Sequence, residues 1–92
     1  AACGLLEMAR YMEPGEGAGY TGMARRLMKS LADNYAVKDY SKSNGLVLHS
    51  TYSNHSPYNT CNHYGVDECN LWGDYFYMEA LTRICRDWNP YW

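Results

Sequence analysis

Residues 73–88 carry the sequence GDYFYMEALTRICRDW, in which apolar side chains recur at the spacing of an α-helix. One face of that helix holds Tyr77, Leu81, Ile84 and Trp88. The charged side chains fall on the other face, which holds Glu79, Arg83 and Arg86. Asp74 either caps the helix or interacts favourably with the positive N-terminal end of the helix dipole. The helix ends at Asn89-Pro90. The pattern predicts an amphipathic helix over about residues 74–88.

A second helix is predicted at the start of the chain, over about residues 2–12. Its apolar positions recur at helical spacing and are Leu5, Met8, Ala9 and Met12. Gly4 costs about 1 kcal/mol relative to alanine in a helix interior. Its place among other small residues is therefore best explained by a close helix neighbour.

The third predicted helix follows a break at EPGEGAG, residues 13–19. It covers about residues 20–35. Its apolar face consists of Tyr20, Met23, Leu27, Leu31 and Tyr35. Charged side chains such as Arg25, Arg26 and Lys29 face water, which is typical of a helix on the outside of a larger structure.

Residues 36–72 show no convincing helix pattern. Asn44-Gly45 marks a turn, and residues 46–48 predict a short strand. Structureless connections this long are rare in compact domains unless they are functional or disordered, and the richness in Tyr, His, Asn and Ser argues against a low-complexity linker. Three helices with one long loop predict a C-terminal piece of a larger all-α protein.

Composition excludes several classes of function. The 92 residues carry a formal net charge of −2, so no basic field attracts phosphates and nucleic acid is not expected as a partner. No apolar run approaches the roughly 18 residues that span a membrane. The chain has room for one domain at most, with a thin core, and its opening AACGLLEMARYM starts within a helical pattern, as expected of a cut segment.

Cysteine and aromatic usage add two further expectations. The cysteines at 3, 61, 69 and 85 form no C-x-x-C pair, which favours free thiols in a reducing compartment, the cytoplasm. Ten Tyr and three Trp stand against one Phe. Tyr and Trp combine a flat apolar face with a hydrogen-bonding tip, so they suit either a sugar site or a protein interface.

The carboxyl-terminal run GVDECNLWGDYFYMEALTRICRDWNPYW, residues 65–92, closely resembles the C-terminus of unsaturated glucuronyl hydrolases, glycoside hydrolase family 88. Its core, GDYFYMEAL, is typical of that family. Residues 1–12, 20–35 and 44–53 also resemble family segments in order and spacing. The resemblance covers essentially this whole chain but only about the last quarter of a usual family member.

The resemblance implies an (α/α)6 barrel, in which inner and outer helices alternate around a ring. The first and last helices here would be inner ones and the middle one outer. Substrate sits at the N-terminal ends of the inner helices in such barrels, so residues 36–72 would lie at the pocket mouth. The whole of 1–92 is then one segment of a single barrel domain.

The resemblance also implies an activity on oligosaccharides that lyases leave with an unsaturated uronic acid. In that family an Asp protonates the C4=C5 bond and activates water to add at C5, and the hemiketal then opens to release the neighbouring sugar. This differs from two-carboxylate displacement at the anomeric carbon. The family needs no metal or cofactor. The catalytic Asp and its partner lie upstream in the family, so this chain alone is predicted to be inactive.

Substrate contacts are expected in YSNHSPY, residues 52–58. Tyr52, Ser53 and Ser56 match a Tyr-Ser-x-x-Ser pattern at the family's pocket mouth. Tyr58 stands where members that handle sulfated fragments have Lys, which puts a preference for sulfated substrates in doubt. An ordinary turn with exposed hydroxyls is the alternative for this stretch.

Other chemistry-bearing residues favour structural roles. The residues of zinc-ligating type are His49, His55, Cys61, His63 and Cys69, but their spacing matches no finger or ribbon. His49 is instead expected to orient the loop by hydrogen bonding. Asp67 and Glu68 are adjacent on an extended segment and point to opposite sides, and Asp67 could approach Asp74.

The leading hypothesis is therefore a segment of an unsaturated glucuronyl hydrolase that contacts an unsaturated uronic-acid oligosaccharide but supplies no catalytic acid. The alternative is a non-enzymatic helical module that binds a carbohydrate or a protein through its Tyr- and Ser-rich loop. As an open piece of barrel, the chain is expected to self-associate or to pair with the missing N-terminal part.

Overall fold

The computed structural model describes residues 1–51 and 67–90, which form three α-helices joined by irregular chain. Helix α1 is Ala2–Ala9, α2 is Pro14–Asn34 and α3 is Leu71–Cys85. Pairing between extended segments in the described ranges is limited to two isolated bridges, Ala36 with Val47 and Ser50 with Glu68. The predicted all-α class is confirmed. The strand expected over residues 46–48 is reduced to a single bridge.

Helix α2 begins well before the predicted boundary, so the interpretation of residues 13–19 as a break was wrong. Pro14 occupies the first turn of the helix, with Glu13 as the residue before it. Proline is favoured there because the first turn has no intrahelical acceptor for its backbone N–H. The Gly17 backbone N–H then donates to the Glu13 carbonyl at 2.8 Å.

The other two helices also differ from the predicted bounds. α1 ends at Ala9 rather than near Met12, and the chain turns through Arg10 and Tyr11. α3 starts at Leu71 and ends at Cys85, three residues earlier at each end than expected. Its start is set by Asn70, whose side chain caps the first turn.

α1 and α2 pack through small residues. The buried residues of α2 are Gly17, Ala24 and Met28. A Cβ atom built on Gly17 would lie 2.8 Å from the Ala9 carbonyl oxygen, so the two backbones meet there without an intervening side chain. Gly4, which was expected to make the close helix contact, has nothing within 4 Å of such a Cβ in the described structure.

The predicted apolar face of α2 is therefore partly wrong. Met23, Leu27 and Tyr35 are 46%, 39% and 40% exposed. A face of Gly and Ala lets a neighbouring helix approach more closely than a face of long side chains, and the close packing buries it instead. The buried apolar residues of the described chain are few: Ala24, Met28, Val37, Val47 and Ala80.

Large apolar side chains on α3 remain exposed. Leu71 is 80% exposed, and Trp72, Phe76 and Met78 are each more than half exposed. Tyr11, which follows α1, is 78% exposed. Exposed large apolar side chains in this number are typical of a surface that packs against further protein.

Three of the cysteines, Cys3, Cys69 and Cys85, lie in the described ranges and are free thiols there. Cys61 lies outside the described residues. None of the three helices is both long and apolar enough to cross a bilayer.

Gly17 should not tolerate a methyl group. Gly17→Ala is expected to lower the free energy of unfolding by about 1–3 kcal/mol, because the new Cβ must displace the backbone of α1. Gly19→Ala is the matched control in the same helix. It meets nothing within 4 Å and should raise stability by up to about 1 kcal/mol through helix propensity. Urea unfolding followed by circular dichroism measures both, and equal shifts would contradict the contact.

Candidate functional site

The N-terminal end of α3 is built by a side-chain cap. The Asn70 side-chain oxygen accepts a hydrogen bond from the Gly73 backbone N–H at 2.7 Å. This satisfies one of the N–H groups that the first turn leaves without an intrahelical acceptor. A Cβ on Gly73 would lie 2.9 Å from the Ser50 hydroxyl, so the loop approaches the helix closely at this point.

Asp74 lies in the first turn of α3, where its charge interacts favourably with the helix dipole as predicted, whereas the cap itself is Asn70. Asp74 also anchors the long loop to α3. Its carboxylate accepts hydrogen bonds from the backbone N–H groups of Leu46 and Val47, each at 3.0 Å. Carboxylate acceptors make roughly twice as strong a hydrogen bond as neutral ones. The helix end and the loop are thereby fixed as one unit.

His49 and Asp67, 18 positions apart, link two parts of the long loop. Their side chains are hydrogen-bonded to each other through His49 Nδ1 and Asp67 Oδ1. The Tyr35 ring meets the imidazole edge-on at 5.9 Å between centroids. The expectation that His49 orients the loop by hydrogen bonding is confirmed, and Asp67 therefore pairs with His49 rather than with Asp74.

The backbone around this pair is unusual. His49 and Asp67 both have positive φ, 62° and 59°, a region that costs residues other than glycine roughly 1–2 kcal/mol. Ser50 and Glu68 exchange two backbone hydrogen bonds, at 2.8 and 2.9 Å. Side-chain and backbone contacts together hold residues 49–50 against 67–68.

The predicted contact residues Tyr52, Ser53 and Ser56, together with Tyr58, lie outside the described residues. The same holds for three of the five residues of zinc-ligating type: His55, Cys61 and His63. Within 1–51 and 67–90 no group of three His, Cys, Asp or Glu side chains is arranged to hold a metal ion. Cys69 instead contacts the Ser43 hydroxyl at 3.4 Å.

A buried ionic network joins α1 to α3 and was missed by the sequence analysis. Arg83 donates to Glu79 at 2.8 Å and to Glu7 at 2.5 Å. The side chains of Arg83 and Glu79 are only 11% and 4% exposed. Both were predicted on the polar face of the helix, and the structure buries them. Their i,i+4 spacing was the available signal, since it allows pairing along one helix face.

The network shifts several pKa values. Burial alone would lower the pKa of Arg83, but hydrogen bonds to Glu7 and Glu79 raise it above its ordinary value. The hydrogen bond from Arg83 is the largest cause that lowers the pKa of Glu7. Burial, followed by the charge of Glu79, raises the pKa of the Cys3 thiol. Arg83 and Glu7 are therefore held in their charged forms.

Four of the five aspartates in the described residues have structural partners. Asp33 pairs with Lys29 on the surface, and Asp39 accepts hydrogen bonds from Ser41 that lower its pKa. A general acid at neutral pH needs a raised pKa in a partly dry pocket. Asp67 and Asp74 are committed to His49 and to the loop backbone.

An apolar cavity of about 400 Å³ lies beside the anchored loop. It opens between the N-terminal ends of α1 and α3 and is lined in part by Ala2, Met28, Ser50, Gly73 and Phe76. The loop and the first turns of α1 and α3 therefore surround one concave surface.

Known proteins match the chain along its whole length. An unsaturated chondroitin disaccharide hydrolase of Streptococcus pyogenes is 41% identical over 95 aligned residues, which cover all of this chain. A crystal structure of a point mutant of an unsaturated glucuronyl hydrolase from Streptococcus agalactiae superposes with a TM-score of 0.83 at 37% identity. The chain corresponds to a segment of unsaturated glucuronyl hydrolases. No protein-family profile matches it.

Unsaturated glucuronyl hydrolases are α/α barrels, so α1, α2 and α3 are consecutive parts of such a barrel. The unsaturated glucuronyl hydrolase of Bacillus sp. strain GL1 is 31% identical over 93 residues. This chain spans 22% of the length of the streptococcal relative, 23% of the Bacillus one and 25% of the crystallised chain. It is thus about a quarter or less of each unsaturated glucuronyl hydrolase that it matches.

Proposed function

We propose that the chain supplies a substrate-facing loop and wall to a glycoside hydrolase that hydrates the C4=C5 bond of unsaturated uronic-acid oligosaccharides. The attachment of the loop to the first turn of α3 through Asp74 carries the proposal. That turn is the N-terminal end of a barrel helix, the end at which α/α-barrel substrates bind, so the attachment supports a role for the loop in substrate binding. The 41% sequence identity to the streptococcal disaccharide hydrolase, over the whole of this chain, supports the substrate class.

The chemistry divides between this segment and the rest of the barrel. An Asp elsewhere protonates the double bond, and water adds at C5 to give a hemiketal that opens and releases the neighbouring sugar. Within this segment, we propose that Tyr52 stacks on or bonds the leaving sugar and that the hydroxyls of Ser53 and Ser56 bond its oxygens. Tyr58, without a positive charge, weakens any preference for sulfated sugars.

The exposed apolar face of α3 is the proposed surface for the remaining barrel helices or, in their absence, for a second copy. Leu71, Trp72 and Phe76 expose enough apolar area to favour association when buried. No nucleic acid or membrane partner is proposed. The free thiols of the described residues support a reducing, cytoplasmic location.

A chimera tests the proposal. This chain replaces the equivalent segment of the Streptococcus pyogenes relative, and loss of ultraviolet absorbance of an unsaturated chondroitin disaccharide follows the reaction. We expect the chimera to be active and this chain alone to be inactive, since no aspartate here matches the catalytic motifs. In the chimera, Ser53→Ala and Ser56→Ala should each raise KM roughly tenfold through lost hydrogen bonds.

The matched control is Ser30→Ala on the exposed surface of α2, which should leave KM unchanged. A folded chimera without activity would contradict the enzymatic role. If the separate chain then bound saturated and unsaturated disaccharides equally, the non-enzymatic binding module would be the better description.

A further inference from the structure

A second cavity, of about 440 Å³, lies at the opposite end of α3 from the anchored loop. The carboxyl ends of α1 and α3 and the first half of α2 form its walls. Four arginines line it, contributed by all three walls: Arg10, Arg25, Arg83 and Arg86. The 15 residues of α3 separate the two ends by about 20 Å, so this arginine-lined cleft is distinct from the loop site.

The charges in this cleft do not cancel locally. Arg10 and Arg83 are matched by Glu7 and Glu79, with which they form ion pairs. Arg25 and Arg86 are exposed and form no ion pair with any other residue of the described chain. Asp87 is the one acidic side chain in the lining. One positive charge thus remains, although the whole chain has a formal net charge of −2.

One aromatic ring and two large aliphatic side chains also line the cleft. The Arg83 guanidinium lies 5.1 Å from the centre of the Trp88 ring, and its two carboxylate partners fix it there. Leu6 and Ile84 add aliphatic surface. Small-molecule sites combine such walls with a few placed polar groups and enclose roughly 300–1,000 Å³, a range that includes this cavity.

We propose that the cleft binds the anionic oxygens of a ligand of about monosaccharide size, a sugar acid or a sugar phosphate, through Arg25 and Arg86. Guanidinium groups present paired N–H donors that match the oxygens of carboxylates and phosphates. Arg25 comes from α2 and Arg86 from the end of α3, so one anion bridging them would join the two helices. The aromatic wall accommodates the sugar ring.

Calorimetric titration of the 92-residue chain tests the proposal, with glucuronate, glucose 6-phosphate and neutral glucose as probes. Arg25→Gln and Arg86→Gln should each weaken binding of the anionic probe about tenfold, because each removes a charge-assisted hydrogen bond. Arg26→Gln is the matched control. It removes the same charge one position along α2, outside the cleft, and should change affinity less than twofold.

The two anionic probes distinguish the sources of the ligand, and tighter binding of either one supports the proposal. NMR shifts at Thr21 and Ile84, which line the cleft, would place the bound anion. Equal weakening by Arg26→Gln would mean non-specific attraction and overturn the proposal. So would glucose binding as tightly as the anions, or variants that lower the unfolding midpoint without changing affinity. In that last case the arginines would serve only to offset the negative ends of α1 and α3.

Discussion

Arg83→Met is expected to lower the free energy of unfolding by about 3–5 kcal/mol, or to leave the chain unfolded in buffer. The substitution keeps an unbranched apolar stem but removes the guanidinium group and its charge. Glu79, with a side chain only 4% exposed, would then be buried without its cation. The contact between α1 and α3 through Glu7 would be lost as well. Urea unfolding monitored by circular dichroism measures the effect.

Two further variants separate burial of charge from loss of packing. Lys29→Ala breaks an exposed ion pair with Asp33 in α2 and should change stability by less than about 1 kcal/mol. Glu79→Leu combined with Arg83→Met should restore much of the stability lost in the single variant, since apolar residues replace a buried ion pair at little cost. A double variant less stable than Arg83→Met alone would contradict this account.

The same network gives the chain a dependence on acid. The folded pKa of Glu7 lies below its ordinary value of 4.5, so its contribution is fully present above that pH. The contribution is lost as pH falls through the lowered folded pKa. Unfolding curves between pH 6 and pH 3 should therefore show stability decreasing in the acid range, and Glu7→Gln should flatten the part that belongs to this residue.

Asp74→Ala is expected to cost about 2–4 kcal/mol, because it leaves the part-buried backbone N–H groups of Leu46 and Val47 without an acceptor. Val47 is itself in the core, at 6% exposure. Hydrogen exchange at these two amides should accelerate in the variant. The free energy of unfolding is measured alongside, as for Arg83.

Asp74→Asn keeps one acceptor oxygen and should recover part of the loss. Asp33→Ala removes an exposed carboxylate from α2 and serves as the matched control, with an expected change below about 1 kcal/mol. If Asp74→Ala behaved like Asp33→Ala, Asp74 would not anchor the loop.

The existence of three helices followed from periodicity, whereas the identity of their buried faces did not. Tyr20, Met23 and Leu27 are the more apolar residues of α2, yet Gly17, Ala24 and Met28 are buried. A hydrophobic pattern does not register how closely two backbones can approach, and here the absence of side chains at Gly17 decides the packing. The start of α2 was missed for a related reason, since Pro14 among glycines resembles a turn.

Only part of the candidate site could likewise be predicted from the sequence. His49 as a loop-orienting residue followed from sequence, but its partner Asp67 did not, because 18 positions separate them. Glu79 and Arg83 were predicted on the polar face of the last helix, and charged side chains are seldom buried. Only the third partner, Glu7 on α1, makes their burial tolerable. Tyr52, Ser53 and Ser56 remain predictions.

The ion pair between Glu7 and Arg83 spans 76 positions, whereas α1 and α2 are joined by residues 10–13 alone. Local contacts form faster than distant ones, so the α1–α2 hairpin should assemble first and α3 should dock last. During synthesis at roughly 5–20 residues per second, Glu7 would wait several seconds for its partner. Until then the hairpin presents its unfilled face to solvent, and this nascent intermediate is the species most exposed to misassembly.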